Sequence, residues 1–121
     1  MSQHILAVDD SRTIRDLLKL ALTESGYDVT LAEDGQQALD LLQDQTPDAI
    51  ISDINMPNLD GFGLIEAVRR IDRLRATPIL MLTTENAPEL KARARAAGAT
   101  GWIVKPFEAA KLVKALHMIA G

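Results

Sequence analysis

The sequence has no cysteine. This excludes a disulfide framework, thiolate catalysis and any zinc site built on thiolates. Long hydrophobic runs are also missing. The first apolar stretch, Ile5–Val8, is too short for a signal sequence or a membrane span, and Met1-Ser2-Gln3-His4 before it carries no basic cluster. A cytoplasmic chain is expected. Aromatic residues make up 3% of the sequence, with Trp102 and Tyr27 the candidates to stack on a flavin. There is no Walker-type loop, and Gly61-Phe62-Gly63 lacks the third glycine of a dinucleotide site. There is no excess of positive charge: the formal net charge of -4 argues against a nucleic-acid or anionic-membrane surface. The two histidines, His4 and His117, lack ligand-like spacing and read as surface or core residues, and Met56, Met81 and Met118 read as core. No repeat, linker or low-complexity segment is visible, and no output domain is expected after the last helical pattern.

The 121 residues, 47% hydrophobic and 25% charged, suit one globular domain over 1–121. Short apolar strands at Ile5–Val8, Val29–Ala32, Ala49–Ser52, Ile79–Leu82 and Trp102–Val104 alternate with helical patterns. The first helix starts from a Ser11 cap, turns Ile14, Leu17, Leu18, Ala21 and Leu22 inward, and stops at Gly26. Asp34-Gly35 opens the second, with Ala38, Leu39, Leu41 and Leu42 inward and Pro47 closing it. Phe62, Leu64, Ile65, Val68 and Ile71 mark the third. Asn86 as cap and Pro88 in the first turn begin the fourth, which Gly98 ends. Leu112, Val113, Leu116 and Ile119 line the fifth. Continuously apolar strands alternating with helices predict a doubly wound, three-layer α/β domain around a parallel sheet with right-handed crossovers.

In such sheets ligands bind at the carboxyl ends of the strands. Asp9 and Asp10 follow the first strand, Asp53 the third, Thr83 the fourth and Lys105 the fifth. Taken singly, each has a plain structural reading. Asp9-Asp10 can cap a helix, Asp53 can cap its loop, Thr83 can bond backbone, and Lys105 can snorkel. Jointly they suit a hard cation and a phosphoryl group. Converging carboxylates repel unless a cation intervenes. Mg²⁺ takes oxygen ligands at about 2.0–2.1 Å. A hydroxyl and an ammonium suit phosphoryl oxygens.

These residues, with the loop Met56-Pro57-Asn58-Leu59-Asp60-Gly61 and Lys105-Pro106-Phe107, make the chain resemble the receiver domain of bacterial two-component response regulators, in particular the stand-alone chemotaxis-like type. The resemblance covers essentially the whole chain. It implies a flavodoxin-like fold with five parallel strands in the order 2-1-3-4-5. It implies Asp53 as phosphoacceptor from a histidine kinase or a small phosphodonor. Asp10, Asp53 and the backbone carbonyl of Asn55 would hold Mg²⁺ (Mn²⁺ is an alternative), with Asp9 assisting. Thr83 and Lys105 would bind the phosphoryl oxygens, Asn55 and Glu85 would tune hydrolysis, and Lys105–Pro106 is a candidate cis peptide. The aromatic switch of the family falls at Trp102, where Tyr or Phe is usual, and would remodel the face of helix four, strand five and helix five. Thr84 stands where many relatives have Ala or Gly. Ala99-Thr100-Gly101 lacks the acidic pair of the dimerising, DNA-binding class, so a monomer is expected.

The leading expectation is thus a phosphorylation-switched binding module in chemotaxis or related signalling, with a downstream protein target or phosphatase as partner. The alternative is a phosphate sink without its own target. An aspartyl-phosphate phosphatase is disfavoured because Asn55, not a carboxylate, stands two residues after Asp53. A flavodoxin-like electron carrier is disfavoured by the carboxylates crowding the sheet edge.

Overall fold

The structure is a computed structural model that describes residues 3–120. Its strands are β1 (His4–Val8), β2 (Asp28–Ala32), β3 (Ala49–Ser52), β4 (Ile79–Thr83) and β5 (Gly101–Val104). The helices are α1 (Arg12–Glu24), α2 (Gly35–Leu41), α3 (Gly61–Arg70), α4 (Pro88–Ala97) and α5 (Ala109–Ala120). All strand pairs are parallel and the order is β2-β1-β3-β4-β5, as the resemblance implied.

Strand alternation sorts the core into two layers. On one face Leu6, Val8, Ile50, Ile79 and Met81 pack with α2, α3 and α4. On the other, Ile5, Ala7, Ile51, Leu80 and Leu82 pack with α1 and α5. Both faces are covered, so the central strands are apolar throughout. Trp102 packs with the first layer and Ile103 with the second, as period-2 alternation on β5 requires. Among the described residues no helix is long and apolar enough to cross a membrane.

Three helix starts have side-chain caps. Ser11 accepts from the Ile14 amide, Asp34 from Gln37 and Asp60 from Gly63. The fourth start departs from expectation. Ala87, not Asn86, is the N-cap of α4, and it makes no side-chain capping bond; Pro88 supplies only the preset φ of the first turn. Leu17 is a second correction. It is 48% exposed, because the α1 face turned to the sheet is narrow and buries only Leu18, Ala21 and Leu22. Only α5 shares this layer with α1, and Leu17 lines the gap near Pro106 and Phe107 rather than the sheet. Met118 is a third. It is 78% exposed, on the side of α5 away from Leu112 and Leu116. Met81 is core and Met56 packs partly against it. His4 bonds Thr30, and His117 lies 3.5 Å from the Tyr27 hydroxyl. A short 3-10 turn, Asp72–Leu74, was not anticipated; it buries Leu74 between α3 and β4.

Candidate functional site

Strand register builds the site. β1 and β3 are adjacent, pairing Val8 with Ser52, so the residues that follow each strand emerge side by side. The Asp53 amide continues the ladder, donating to the Val8 carbonyl at 3.0 Å. Asp9, Asp10 and Asp53 consequently each offer a carboxylate oxygen, all within 4.8 Å of one another. Asp9 and Asp53 are buried and Asp10 is exposed. Two buried carboxylates with a third beside them need a counter-charge, and Lys105 supplies one. Its Nζ lies 2.6 Å from Asp9 Oδ2 and 2.8 Å from Asp53 Oδ2. The Lys105–Pro106 peptide that follows is cis.

Burial is the largest influence on Asp9 and raises its pKa, although the Lys105 ammonium and the Ser11 amide pull the other way. Burial also opposes the charge on Lys105, but hydrogen bonds to Asp53 and Asp9 together outweigh it and raise its pKa. The lysine is therefore a fixed cation here.

Asp53 is held firmly. Its Oδ1 accepts from the Ile54 amide at 2.6 Å, and its carbonyl accepts from Ser52 Oγ at 2.8 Å. Gly61 closes the loop, donating its amide to the Ile54 carbonyl at 2.8 Å. A Cβ at Gly61 would collide with the Asp53 carbonyl. The sequence showed Asp60-Gly61 only as turn chemistry; that the turn folds back onto the peptide of Asp53 is visible only in three dimensions.

Thr83, wholly buried at the end of β4, accepts from the Glu85 amide at 3.3 Å. Asn55 Nδ2 donates to Glu85 Oε1 at 3.3 Å, and the indole N–H of Trp102 donates to the Glu85 carbonyl at 3.1 Å. Glu85 thus touches three of the residues singled out from sequence. Trp102 lies half-buried beside α4, and Thr84 is exposed. Lys105 and the three aspartates form one cluster; Thr83, Asn55, Glu85 and Trp102 form a second on the β4–α4 side.

An all-oxygen cluster of three carboxylates fits a hard divalent cation such as Mg²⁺. The same atoms, beside a fixed ammonium, suit a transferable phosphoryl group.

Residues 5–117 match the response regulator receiver domain family. The chain is 38% identical to Response regulator MprA of Mycolicibacterium vanbaalenii, over 98% of this chain and 51% of that protein. It thus spans about half the length of the curated relatives it matches. Among solved structures, the chemotaxis protein CheY4 of Vibrio cholerae superposes with a TM-score of 0.95 at 47% identity, covering 98% of this chain and 99% of that one. The receiver domain of sensor histidine kinase PA1611 from Pseudomonas aeruginosa, which has a magnesium ion coordinated in its active-site cleft, superposes with a TM-score of 0.92 at 32% identity, covering 100% and 99%. Sheet order, overall shape and similarity along nearly the full chain agree, and the chain belongs to the response regulator receiver domain family.

Proposed function

We propose that Asp53 accepts a phosphoryl group from a histidine kinase and that the chain, as one domain over residues 1–121, uses the modification to switch its binding of a partner protein. The observation that carries this reading is the bridging of Asp9 and Asp53 by Lys105 with Asp10 alongside. It puts a held carboxylate nucleophile beside a fixed cation. An oxygen of Asp53 forms the bond to phosphorus as the phosphorus–nitrogen bond of the donor's phosphohistidine breaks, its electron pair returning to the imidazole. Asp10, Asp53 and the Asn55 carbonyl would hold Mg²⁺, with Asp9 assisting, and the ion supplies neutralisation of phosphoryl charge. Lys105 turns from the carboxylates to the new phosphoryl oxygens, and Thr83 gives up the Glu85 amide to donate to them. Glu85 and Asn55 tune hydrolysis from the mouth of the site. The second cluster links this change to Trp102 and hence to the face of α4, β5 and α5. The reading is of a phosphoacceptor rather than an enzyme with a separate substrate. A role in chemotaxis or related signalling is in keeping with the likeness to the V. cholerae chemotaxis protein CheY4 over 99% of that chain, and a cytoplasmic monomer is part of the same proposal.

The test is labelling by a small phosphodonor in Mg²⁺. Wild type becomes labelled, and Asp53→Asn does not. A mutant labelled to wild-type level would reject Asp53 as the acceptor. Beryllofluoride with Mg²⁺ should change Trp102 emission beyond the effect of Mg²⁺ alone, and Thr83→Ala should suppress that extra change.

A further inference from the structure

The two carboxylates that follow β1 are held very differently. Asp9 has three anchors. Its amide donates to the Ala32 carbonyl at 3.1 Å, its Oδ1 accepts from the Ser11 amide at 2.9 Å, and its Oδ2 accepts from Lys105 Nζ at 2.6 Å. Asp10 is exposed, and among the described residues its carboxylate has no hydrogen-bond or ion-pair partner. Where that carboxylate points is therefore decided by the main chain that carries it.

Arg15 grips this main chain. It stands four residues after Ser11, the cap of α1, and residues at that spacing share one side of a helix. Its amide donates to the Ser11 carbonyl at 3.0 Å, as the first turn requires. Its guanidinium then reaches back toward the strand, and Nη1 donates to the Asp9 carbonyl at 2.8 Å. That carbonyl belongs to the planar peptide joining Asp9 to Asp10, so one bond fixes the unit from which both carboxylates depart. A charged donor makes a stronger bond than a neutral one. The Arg15 side chain is 14% exposed, so water competes little for the contact. Glu33 Oε1 lies 4.0 Å from Nη2 but is largely in solvent, and it holds the guanidinium only loosely.

We propose that Arg15 is a positioning residue for the acidic site: by fixing the peptide between Asp9 and Asp10, it sets the Asp10 carboxylate in place for a divalent cation. The proposal rests on the reading of Asp10 as a Mg²⁺ ligand and adds the group that orients it. Partners that orient ligands from behind typically carry about 10–100-fold of metal affinity. The sign of the effect separates positioning from charge. Arg15 is a cation close to a cation site, so charge alone makes its removal strengthen Mg²⁺ binding. Loss of orientation weakens it.

The experiment is calorimetric titration of Mg²⁺ into wild type, Arg15→Met, Arg15→Lys, Arg12→Met and Asp10→Ala. Methionine keeps an apolar stem without a donor. Arg15→Met is expected to bind Mg²⁺ about tenfold more weakly than wild type. Arg15→Lys keeps a charge and a donor but loses the planar fork, and its affinity should fall between the two. Arg12→Met removes an exposed cation from the same helical turn and should bind as wild type or more tightly. Labelling of Asp53 in Arg15→Met should be slow at low Mg²⁺ and approach the wild-type rate at saturation. Denaturation without Mg²⁺ shows which variants are folded. Wild-type or tighter Mg²⁺ binding by folded Arg15→Met overturns the proposal, however much stability is lost, and leaves Arg15 as a residue that only packs α1 onto β1. Should Arg15→Met not fold, wild-type affinity in Arg15→Lys overturns it equally. Undiminished binding by Asp10→Ala rejects the reading of Asp10 as a ligand and the proposal with it. Weak binding by Asp10→Ala beside unchanged binding by Arg15→Met rejects the proposal alone.

Discussion

Lys105 carries more than a contact to an incoming phosphoryl group. In the unmodified protein it neutralises two buried carboxylates at 2.6 and 2.8 Å. Removing one partner of a buried pair leaves the other charge uncompensated, at a cost of about 3 kcal/mol or more. Lys105→Ala is therefore expected to unfold at markedly lower denaturant without divalent ions, and Mg²⁺ should recover much of the loss by taking over the counter-charge. Labelling of Asp53 should persist, but activation should no longer alter Trp102 emission. A metal-free Lys105→Ala as stable as wild type would mean that the two ion pairs do not hold this edge together.

At the scale of elements, α2 and α4 begin in opposite ways. Asp34 caps α2 through the Gln37 amide at 2.8 Å and also accepts from Asn58, whose φ of 68° turns the loop after β3 toward it. The Gln37 amide first, and then the Asn58 side chain, hold the Asp34 pKa below the usual carboxylate value. A carboxylate with a depressed folded pKa stabilises the fold above its unfolded pKa and loses that contribution as pH falls through the folded one. Asp34→Ala should cost about 0.5–2 kcal/mol at neutral pH, the usual range for a lost cap. The gap should narrow in denaturant titrations below the normal carboxylate pKa, whereas Asp34→Asn should keep most of the cap at neutral pH. A gap that widens in acid contradicts this account of Asp34.

α4 has no side-chain capping bond at its start and buries only Ala94, whereas α3 is capped there by Asp60 and buries five residues. Little burial and an uncapped start give low local stability. Amides of α4 should exchange faster than those of α3, and Ala87→Asp should slow them, adding about 0.5–2 kcal/mol as a cap. This helix borders Trp102, so a looser α4 makes the proposed output face the cheapest part of the fold to rearrange. Uniform protection across α3 and α4 would remove that rationale.

For the whole molecule, the cluster of Asp9, Asp10 and Asp53 opposes folding unless compensated. Mg²⁺ bound only by the folded chain adds stability by mass action. The thermal midpoint should rise with Mg²⁺ concentration in wild type, and Asp10→Ala should flatten that rise more than Asp9→Ala, since Asp9 is already engaged by Lys105 and the Ser11 amide. The opposite ranking would reverse the roles assigned to the two carboxylates. In the metal-free protein Asp10→Ala should be no less stable than wild type, because it relieves repulsion without breaking a recorded bond.

The order of amino acids by itself determined the alternation of strands and helices, the covered parallel sheet, and the gathering of Asp9, Asp10, Asp53, Thr83 and Lys105 at one sheet edge. These are local matters: apolar periodicity fixes the element, and the position just after a strand fixes the edge. The strand order came from the family resemblance, because apolar spacing carries no information about which strands are neighbours. What only the tertiary structure decided depends on distance between segments far apart in sequence. Lys105 meets Asp9 because β1 and β5 end at the same edge. Trp102 meets the Glu85 carbonyl because β5 lies beside β4, and Gly61 folds onto Asp53 because the turn closes there. Leu17 and Met118 followed apolar patterns yet stayed exposed, since spacing marks which side of a helix is apolar but not how much of that side the neighbouring layer covers.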